Sequence, residues 1–341
     1  MKALKYFFFL VLIAIIVLAV YISVQPSEYD FQKTRVIQAP APVVFSYVND
    51  FRSWEPWNPW KEADPTIVVS YPENTSGVNG YYEWTSSDGN GKMETVSVTP
   101  HSTILQKLSF EDFEPSDVYW NFEETPEGTK TTWGMKGTKN FMFKMFTTFA
   151  GSMEETIGPM YESGLEKLDS VIKVDMSKYN ITANGVTEHG GGYYLYVTGS
   201  SKLDEIGKEV QKLMPKVGAF AQENNITYGG APFILYHKWD EKNNAAVFSC
   251  GVPTKDRVIT PAGSDVLTGE MPAFTAFKTT LTGDYKYLKD AWSTAMAHVA
   301  ENELIEDIDG PYLEVYANDP MQEPNPAKWI TEIYIPVKSK E

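Results

Sequence analysis

The sequence predicts an α+β chain in three parts: one transmembrane helix, a strand-rich domain closed by a long helix, and a domain built from two strand–helix–strand–strand units. Three observations predict it. Residues 6–24 form an apolar run without a charge. Between residues 29 and 172 the apolar positions alternate with a strand period and then switch to a helical one. From residue 181 to 341 the order strand, helix, strand, strand occurs twice, the signature of an internal duplication. At roughly 100–200 residues per domain, 341 residues suit two soluble domains.

The apolar run comes first. Its 19 residues make a helix of about 28 Å, close to the ~30 Å hydrocarbon core of a bilayer. Lys2 and Lys5 precede it, and Glu28 and Asp30 follow. The positive-inside rule then leaves the N-terminus in the cytoplasm and the soluble domains in the periplasm or another extracytoplasmic space. The rival is a cleaved signal peptide, whose apolar stretch is shorter (about 7–15 residues) and ends in a small-x-small site. Ala19-Val20-Tyr21 and Tyr21-Ile22-Ser23 fit that site poorly. A single-pass membrane protein is the reading adopted.

Composition then narrows the function classes. Asp and Glu number 45 against 29 Lys and Arg, a net charge of −16. No basic stripe is available to displace counterions, so no nucleic-acid partner is expected. Arg35, Arg52 and Arg257 are the only arginines, too few for a phosphate-binding cluster. Cys250 is the only cysteine, which excludes an intrachain disulfide framework and a thiolate zinc site. His101, His189, His237 and His298 have no metal-ligand spacing, so neither metal nor cofactor is expected. Aromatic residues reach 14%, enough to line or fill an interior with rings.

In the first soluble domain, residues 31–37 alternate as a strand and Ala39-Pro40-Ala41-Pro42 ends it. A short helix opens at Val43, with Pro42 near its first turn. Trp54, Trp57 and Trp60 then lie in a Pro-rich loop. Strands follow, with a hairpin signal at Asp88-Gly89-Asn90-Gly91. Phe146, Phe149, Met153, Ile157, Met160, Leu165 and Leu168 recur at helical spacing, which predicts one amphipathic helix kinked or broken at Pro159. Trp84, Trp120, Trp133, Phe146 and Phe149 read as core, and Glu154-Glu155 as a solvated helix face.

Five blocks carry a resemblance here. They are Ile37-Gln38-Ala39-Pro40 with Val44-Phe45, then Trp54-Glu55-Pro56-Trp57-Asn58-Pro59-Trp60, Gly80-Tyr81-Tyr82-Glu83-Trp84, Gly128-Thr129 with Trp133, and Gly164-Leu165-Glu166-Lys167-Leu168. Residues 29–172 thereby resemble the SRPBCC or START-like superfamily, in its polyketide-cyclase and lipid-transport branch. The resemblance implies a helix-grip fold, a bent antiparallel sheet around a long helix with an apolar cavity between them.

Residues 173–180 read as a linker. The next domain opens with a strand over 186–197 that carries a glycine break. Ile206, Val210, Leu213, Val217 and Phe220 recur as a helix, and strands follow at 233–239 and 245–250. The second cycle has a strand at 274–281, a helix at 285–303 with Leu288, Trp292, Met296 and Val299 on one side, and strands at 312–316 and 330–337.

Four blocks in order make the second resemblance. They are the run from Gly230-Ala231-Pro232-Phe233 to Trp239-Asp240 with Gly251-Val252-Pro253, Leu281-Thr282-Gly283-Asp284-Tyr285 with Ala291-Trp292, Leu313-Glu314-Val315-Tyr316, and Trp329-Ile330-Thr331-Glu332-Ile333-Tyr334. Residues 181–341 look like the GyrI-like small-molecule-binding domain, also called the AraC effector-binding domain. That implies a groove at the junction of the repeats, lined by rings and often centred on a carboxylate.

Alternation supplies the candidates. Glu332 and Tyr334 share one face of the last strand, Tyr312, Glu314 and Tyr316 one face of the strand before it, and Ile234 and Tyr236 one face of an earlier strand. A Glu among rings attracts an organic cation by Coulomb force and by the ring quadrupole. The expected ligand contacts are Glu332, Tyr334, Tyr236, Glu314, Tyr316, Tyr194 and Trp292, with Glu332 the leading carboxylate. On spacing alone, both Glu314 and Glu332 also fit a solvent-facing strand position. The reading is a membrane-anchored sensor or sink for hydrophobic small molecules, cationic ones included. One alternative is a hydrolase in which Glu332 takes a proton from water and Tyr236 donates one, as the resemblance implies for some family members. Another is a protein-partner adaptor.

Overall fold

A computed structural model describes residues 2–111 and 113–338. The chain divides into two compact units, Met1–Asp175 and Met176–Glu341.

The first unit opens with helix α1, Lys2–Val24, four residues longer at its start than the uncharged run. Its segment Leu4–Val24 is long and apolar enough to cross a membrane. Among its described side chains only Ile22, in the last turn, is buried. Outside that last turn, which meets the first unit, its described side chains are almost all exposed, so α1 is not the core helix of a soluble fold.

Seven antiparallel strands follow: β1 (Glu28–Ile37), β2 (Val68–Ser70), β3 (Tyr81–Ser86), β4 (Gly89–Thr99), β5 (Thr103–Phe110), β6 (Ser116–Thr125) and β7 (Gly128–Thr138). Their order is β1-β7-β6-β5-β4-β3-β2, a meander with the first strand returned to its far edge. Helix α2 (Ala41–Asn49) buries Val43, Val44, Phe45 and Val48, with Pro42 in its first turn as expected. The Pro-rich segment is not wholly a loop. It holds a 3-10 turn, Phe51–Trp54, and a short helix α3, Pro59–Ala63, capped by the Asn58 side chain.

The expected helix through Pro159 is a second correction. There are two helices, α4 (Phe141–Ala150) and α5 (Met153–Met176), and the break lies at Gly151-Ser152. Gly151 has φ of +100°, where a side chain would be strained. Ser152 and Glu155 form a reciprocal cap: Ser152 N donates to Glu155 Oε2 (2.8 Å) and Glu155 N to Ser152 Oγ (3.2 Å). Glu155 is therefore a capping residue, and the bonds its carboxylate accepts from Ser152 N and Ser152 Oγ hold its carboxyl below the usual range. Pro159 is carried inside α5. Because the helices are separate, Phe146 and Phe149 leave the core and face outward.

Helix α5 turns Tyr161, Leu165, Leu168 and Ile172 inward. There the interior is filled by stacked rings. Trp120 and Trp133 stack at 4.4 Å, Trp133 and Tyr161 at 3.9 Å, and Trp54 lies 4.7 Å from Trp57. All five are buried. A Cβ at Gly164 would meet the Trp133 ring at 2.8 Å, so this glycine is what lets the helix approach the indole. Trp54 Nε1 donates to Val48 O (2.9 Å) and Trp120 Nε1 to Gln106 Oε1 (3.1 Å). The Trp57 and Trp133 nitrogens meet no acceptor among the described residues.

Helix α5 continues through much of the segment expected as linker. The second unit then has β8 (Asn180–His189), β9 (Gly192–Ser201), α6 (Ile206–Glu223), β10 (Phe233–Asp240), β11 (Ala245–Pro253), β12 (Leu267–Met271), β13 (Phe274–Thr282), α7 (Leu288–Glu301), β14 (Tyr312–Tyr316) and β15 (Ile330–Pro336). The single strand expected over 186–197 is a hairpin. Gly191, at φ of +66°, makes the turn between β8 and β9. Strand β12 had no sequence signal strong enough to mark it.

The eight strands run β12-β9-β11-β10-β14-β15-β13-β8. Within that order β9-β11-β10 and β14-β15-β13 are mirror sequences of the two strand–helix–strand–strand units. The repeats thus meet where β10 pairs β14, with Ile234 opposite Glu314. Helix α6 covers a core of Leu195, Ile234, Phe248 and Cys250, and α7 covers one of Phe277, Leu281, Ile333 and Ile335. Both helices lie on the same sheet face, since Glu314 stands opposite both Ile234 and Ile333.

Candidate functional site

The seam between the two helices runs over β10 and β14, and its floor is Glu314. This side chain is 2% exposed. Three neutral aromatic heads hold its carboxylate. Trp292 Nε1, from α7, donates to Oε2 at 2.8 Å. Tyr316 OH donates to Oε1 at 2.6 Å. Tyr236 OH, from β10, donates to Oε2 at 3.4 Å, the longest and weakest of the three. Among the described residues no basic side chain forms an ion pair with Glu314. Burial pushes its carboxyl pKa up, against the three hydrogen bonds, which favour the charge. Burial and then the charge of Glu314 push the Tyr236 and Tyr316 phenols well above their ordinary range.

Two rings that the sequence reading missed extend this site. Tyr285 stands edge-on to Tyr316 at 5.2 Å and close to Trp329 at 4.6 Å. Burial pushes its phenol up to about 12. Trp239 lies edge-on to Tyr236 at 5.7 Å and is half exposed. Strict alternation would put Trp239 on the face opposite Tyr236, three positions earlier. A β-bulge between Tyr236 and Lys238 shifts the phase by one residue. Tyr236 then faces Phe248 and Trp239 faces Ala246, both on the helix side. Trp292 and Tyr236, whose rings are 5.7 Å apart and perpendicular, complete the cage.

The expected site residues divide between the two faces of the sheet. Tyr236, Glu314, Tyr316 and Trp292 come together under the helices. Glu332, Tyr334 and Tyr194 lie on the other face. The reason is register: Glu332 stands opposite Val315, whereas Glu314 stands opposite Ile333, so the two carboxylates alternate. Glu332 is a quarter exposed and paired with Lys278 Nζ at 2.7 Å, and Tyr334 OH donates to it at 2.7 Å. Tyr194 packs edge-on against Phe233 at 5.3 Å. Tyr236 and Glu332 are therefore not neighbours, and the tyrosine's carboxylate is Glu314.

Cys250 is fully buried in β11, and burial pushes its thiol up to about 12, which leaves little thiolate near neutral pH. No group of three His, Cys, Asp or Glu side chains among the described residues is placed to hold a metal ion.

Comparisons with known proteins agree with this division of the chain. Residues 29–173 match the family described as polyketide cyclase / dehydrase and lipid transport. Residues 193–338 match the GyrI-like small molecule binding domain. The chain thus carries a polyketide-cyclase and lipid-transport domain followed by a GyrI-like domain, both of small-molecule-binding kinds, behind an apolar helix that is a membrane-anchor candidate. No curated protein matches it. Among solved structures, the C-terminal domain of EcmrR is similar at 18% identity, covering 48% of this chain and 99% of that one with a TM-score of 0.41. A protein from Chromobacterium violaceum is similar at 14% identity, covering 42% and 95% with a TM-score of 0.33. SAV2435 bound to tetraphenylphosphonium is similar at 16% identity, covering 48% and 94% with a TM-score of 0.35.

Proposed function

Starting from a chain with two small-molecule-binding domains in tandem, we propose that it is a membrane-anchored binding protein for lipophilic organic monocations, taken up at Glu314 in the GyrI-like domain. One observation carries this reading: a carboxylate 2% exposed, caged by aromatic groups and without a cationic partner among the described residues. An uncompensated buried charge is costly, and the group responds by holding its proton. A bound cation offsets that cost directly, and the faces of Tyr236, Trp292 and Tyr316 add cation–π attraction. An apolar body on the cation gains further by displacing water from the rings. Tyr236 makes the weakest of the three bonds to Glu314 and is the ring that turns aside for entry, with Trp239 at the mouth.

In this reading α1 spans the bilayer, with the N-terminus cytoplasmic and both domains extracytoplasmic. A lipophilic cation partitions into the membrane, so a tethered site samples it at raised local concentration.

The test is fluorescence polarisation with rhodamine 6G, a lipophilic monocation, on the full chain in detergent. Glu314→Gln keeps the shape and removes the charge, and at least a tenfold loss of affinity is expected. Affinity of the unaltered chain rises with pH through the interval above the ordinary carboxyl value, because the cation binds the ionised form and expels the proton. Equal binding by the Gln variant would end this proposal.

A further inference from the structure

Helix α4 is inside out. Its one charged residue, Lys144, is 7% exposed, while Phe141, Met142, Phe146 and Phe149 face outward, Phe149 being 72% exposed. At about 100° per residue those four positions fall within an arc of about 140° on the helix surface. A soluble helix shows the opposite pattern. Lys144 is used inward: its Nζ donates to Ser23 O at 3.1 Å, on the last turn of α1. The strands bring the two helices to one end of the sheet. Glu28, four residues beyond α1, stands opposite Thr138, three residues before α4. Lys139 N donates to Ser27 O at 2.6 Å, and the Tyr29 and Phe143 rings meet edge-on at 6.0 Å. The β5–β6 loop arrives at the same end, where Phe113 is exposed and lies 5.4 Å from Phe143.

We propose that α4 is an interfacial helix whose aromatic face enters the headgroup–acyl boundary of the phospholipid bilayer that α1 spans. The inference rests on α1 being a membrane anchor. Given that, continuity identifies the occupant. The chain leaves the bilayer at Val24, and α4 is bonded to that same turn, so its apolar arc lies at headgroup depth. Phe side chains and Met are the groups that gain from burial there, and a helix lying in the interface needs only one apolar face. Net charge is not required, so the docking suits zwitterionic lipid as well as anionic. Its consequence is to hold one end of the first unit's sheet on the membrane surface instead of leaving it on a free tether.

The experiment uses the full chain in phosphatidylcholine vesicles. Ala150→Cys, Leu12→Cys and Glu127→Cys are each labelled in detergent with a nitrobenzoxadiazole fluorophore; the native Cys250 is buried and stays unlabelled. Glu127 sits in the β6–β7 turn, at the far end of β7 from α4, roughly 35 Å along an 11-residue strand. Phosphatidylcholine brominated on its acyl chains quenches only labels that enter the bilayer. Quenching of roughly twofold at Ala150 and Leu12, with none at Glu127, is expected. Phe146→Ser with Phe149→Ser changes exposed residues only and should return the Ala150 label to the Glu127 level. Quenching at Leu12 without quenching at Ala150 overturns the docking and keeps the anchor. No quenching at Leu12 overturns the anchor and the docking with it. A blue-shifted but unquenched Ala150 label overturns lipid docking and shows that protein, such as a second copy, covers the face.

Discussion

The interior of the first unit and the helix-side seam of the second are both crowded with rings, yet they are built for different ends. In the first, Trp120, Trp133 and Tyr161 stack on one another face to face at 3.9–4.4 Å, and the rings fill space by contact. In the second, Tyr236, Trp292 and Tyr316 turn their polar atoms onto a single buried carboxylate. Aromatic content does not separate filling from recognition. What separates them is whether the rings enclose a group that the protein itself leaves uncompensated. Stacked indoles lose stability when one is removed. A caged acid without a cation is held at a cost to stability once it ionises, a cost that a bound cation would offset in the proposed function.

The largest effect should come from the filled interior. Trp133→Ala removes a fully buried ring stacked between two others and should destabilise the first unit by about 3–5 kcal/mol, read by urea unfolding. A much smaller loss would mean the rings are loosely held and the contrast fails on that side.

Next is the caged acid. Its folded pKa is raised by burial, so the native state binds more protons than the unfolded chain above the ordinary carboxyl value of 4.5. Stability is then lost as pH rises from about that value through the folded pKa. Glu314→Gln removes this pH-dependent loss. Its melting temperature at pH 8 should equal or exceed that of the parent chain, while rhodamine affinity falls. A variant that is both less stable and unchanged in affinity would mark Glu314 as a structural acid.

The mouth of the cage is a finer test. Trp239→Ala at an exposed position should weaken binding by about 0.5–1 kcal/mol, a two- to fivefold change in Kd, without altering the melting temperature. The smallest effect is expected on the opposite face. Glu332→Gln breaks a part-exposed pair with Lys278 and should cost under about 1 kcal/mol, leaving cation affinity as it was. Strong loss of binding in this variant would move the site to the other side of the sheet.

The sequence alone determined the parts and their order. An uncharged run, a change from strand to helical period and a repeated strand–helix–strand–strand order each depend on local pattern, and local pattern survives being read in one dimension. It offered Glu314, Tyr236, Tyr316 and Trp292 among the ligand candidates, but it put Glu332 first and set Tyr236 beside that carboxylate. Three things needed tertiary structure. Which glutamate lies under the helices depends on the pairing of β14 with β15, because adjacent strands in register place Glu314 and Glu332 on opposite faces. Trp239 joins the cage through a bulge, a one-residue insertion that shifts the facing pattern and leaves no mark in composition. The outward face of α4 was hidden because Phe146 and Phe149 keep helical spacing with the core positions of α5. Only the break at Gly151-Ser152 turns those two rings away from the core.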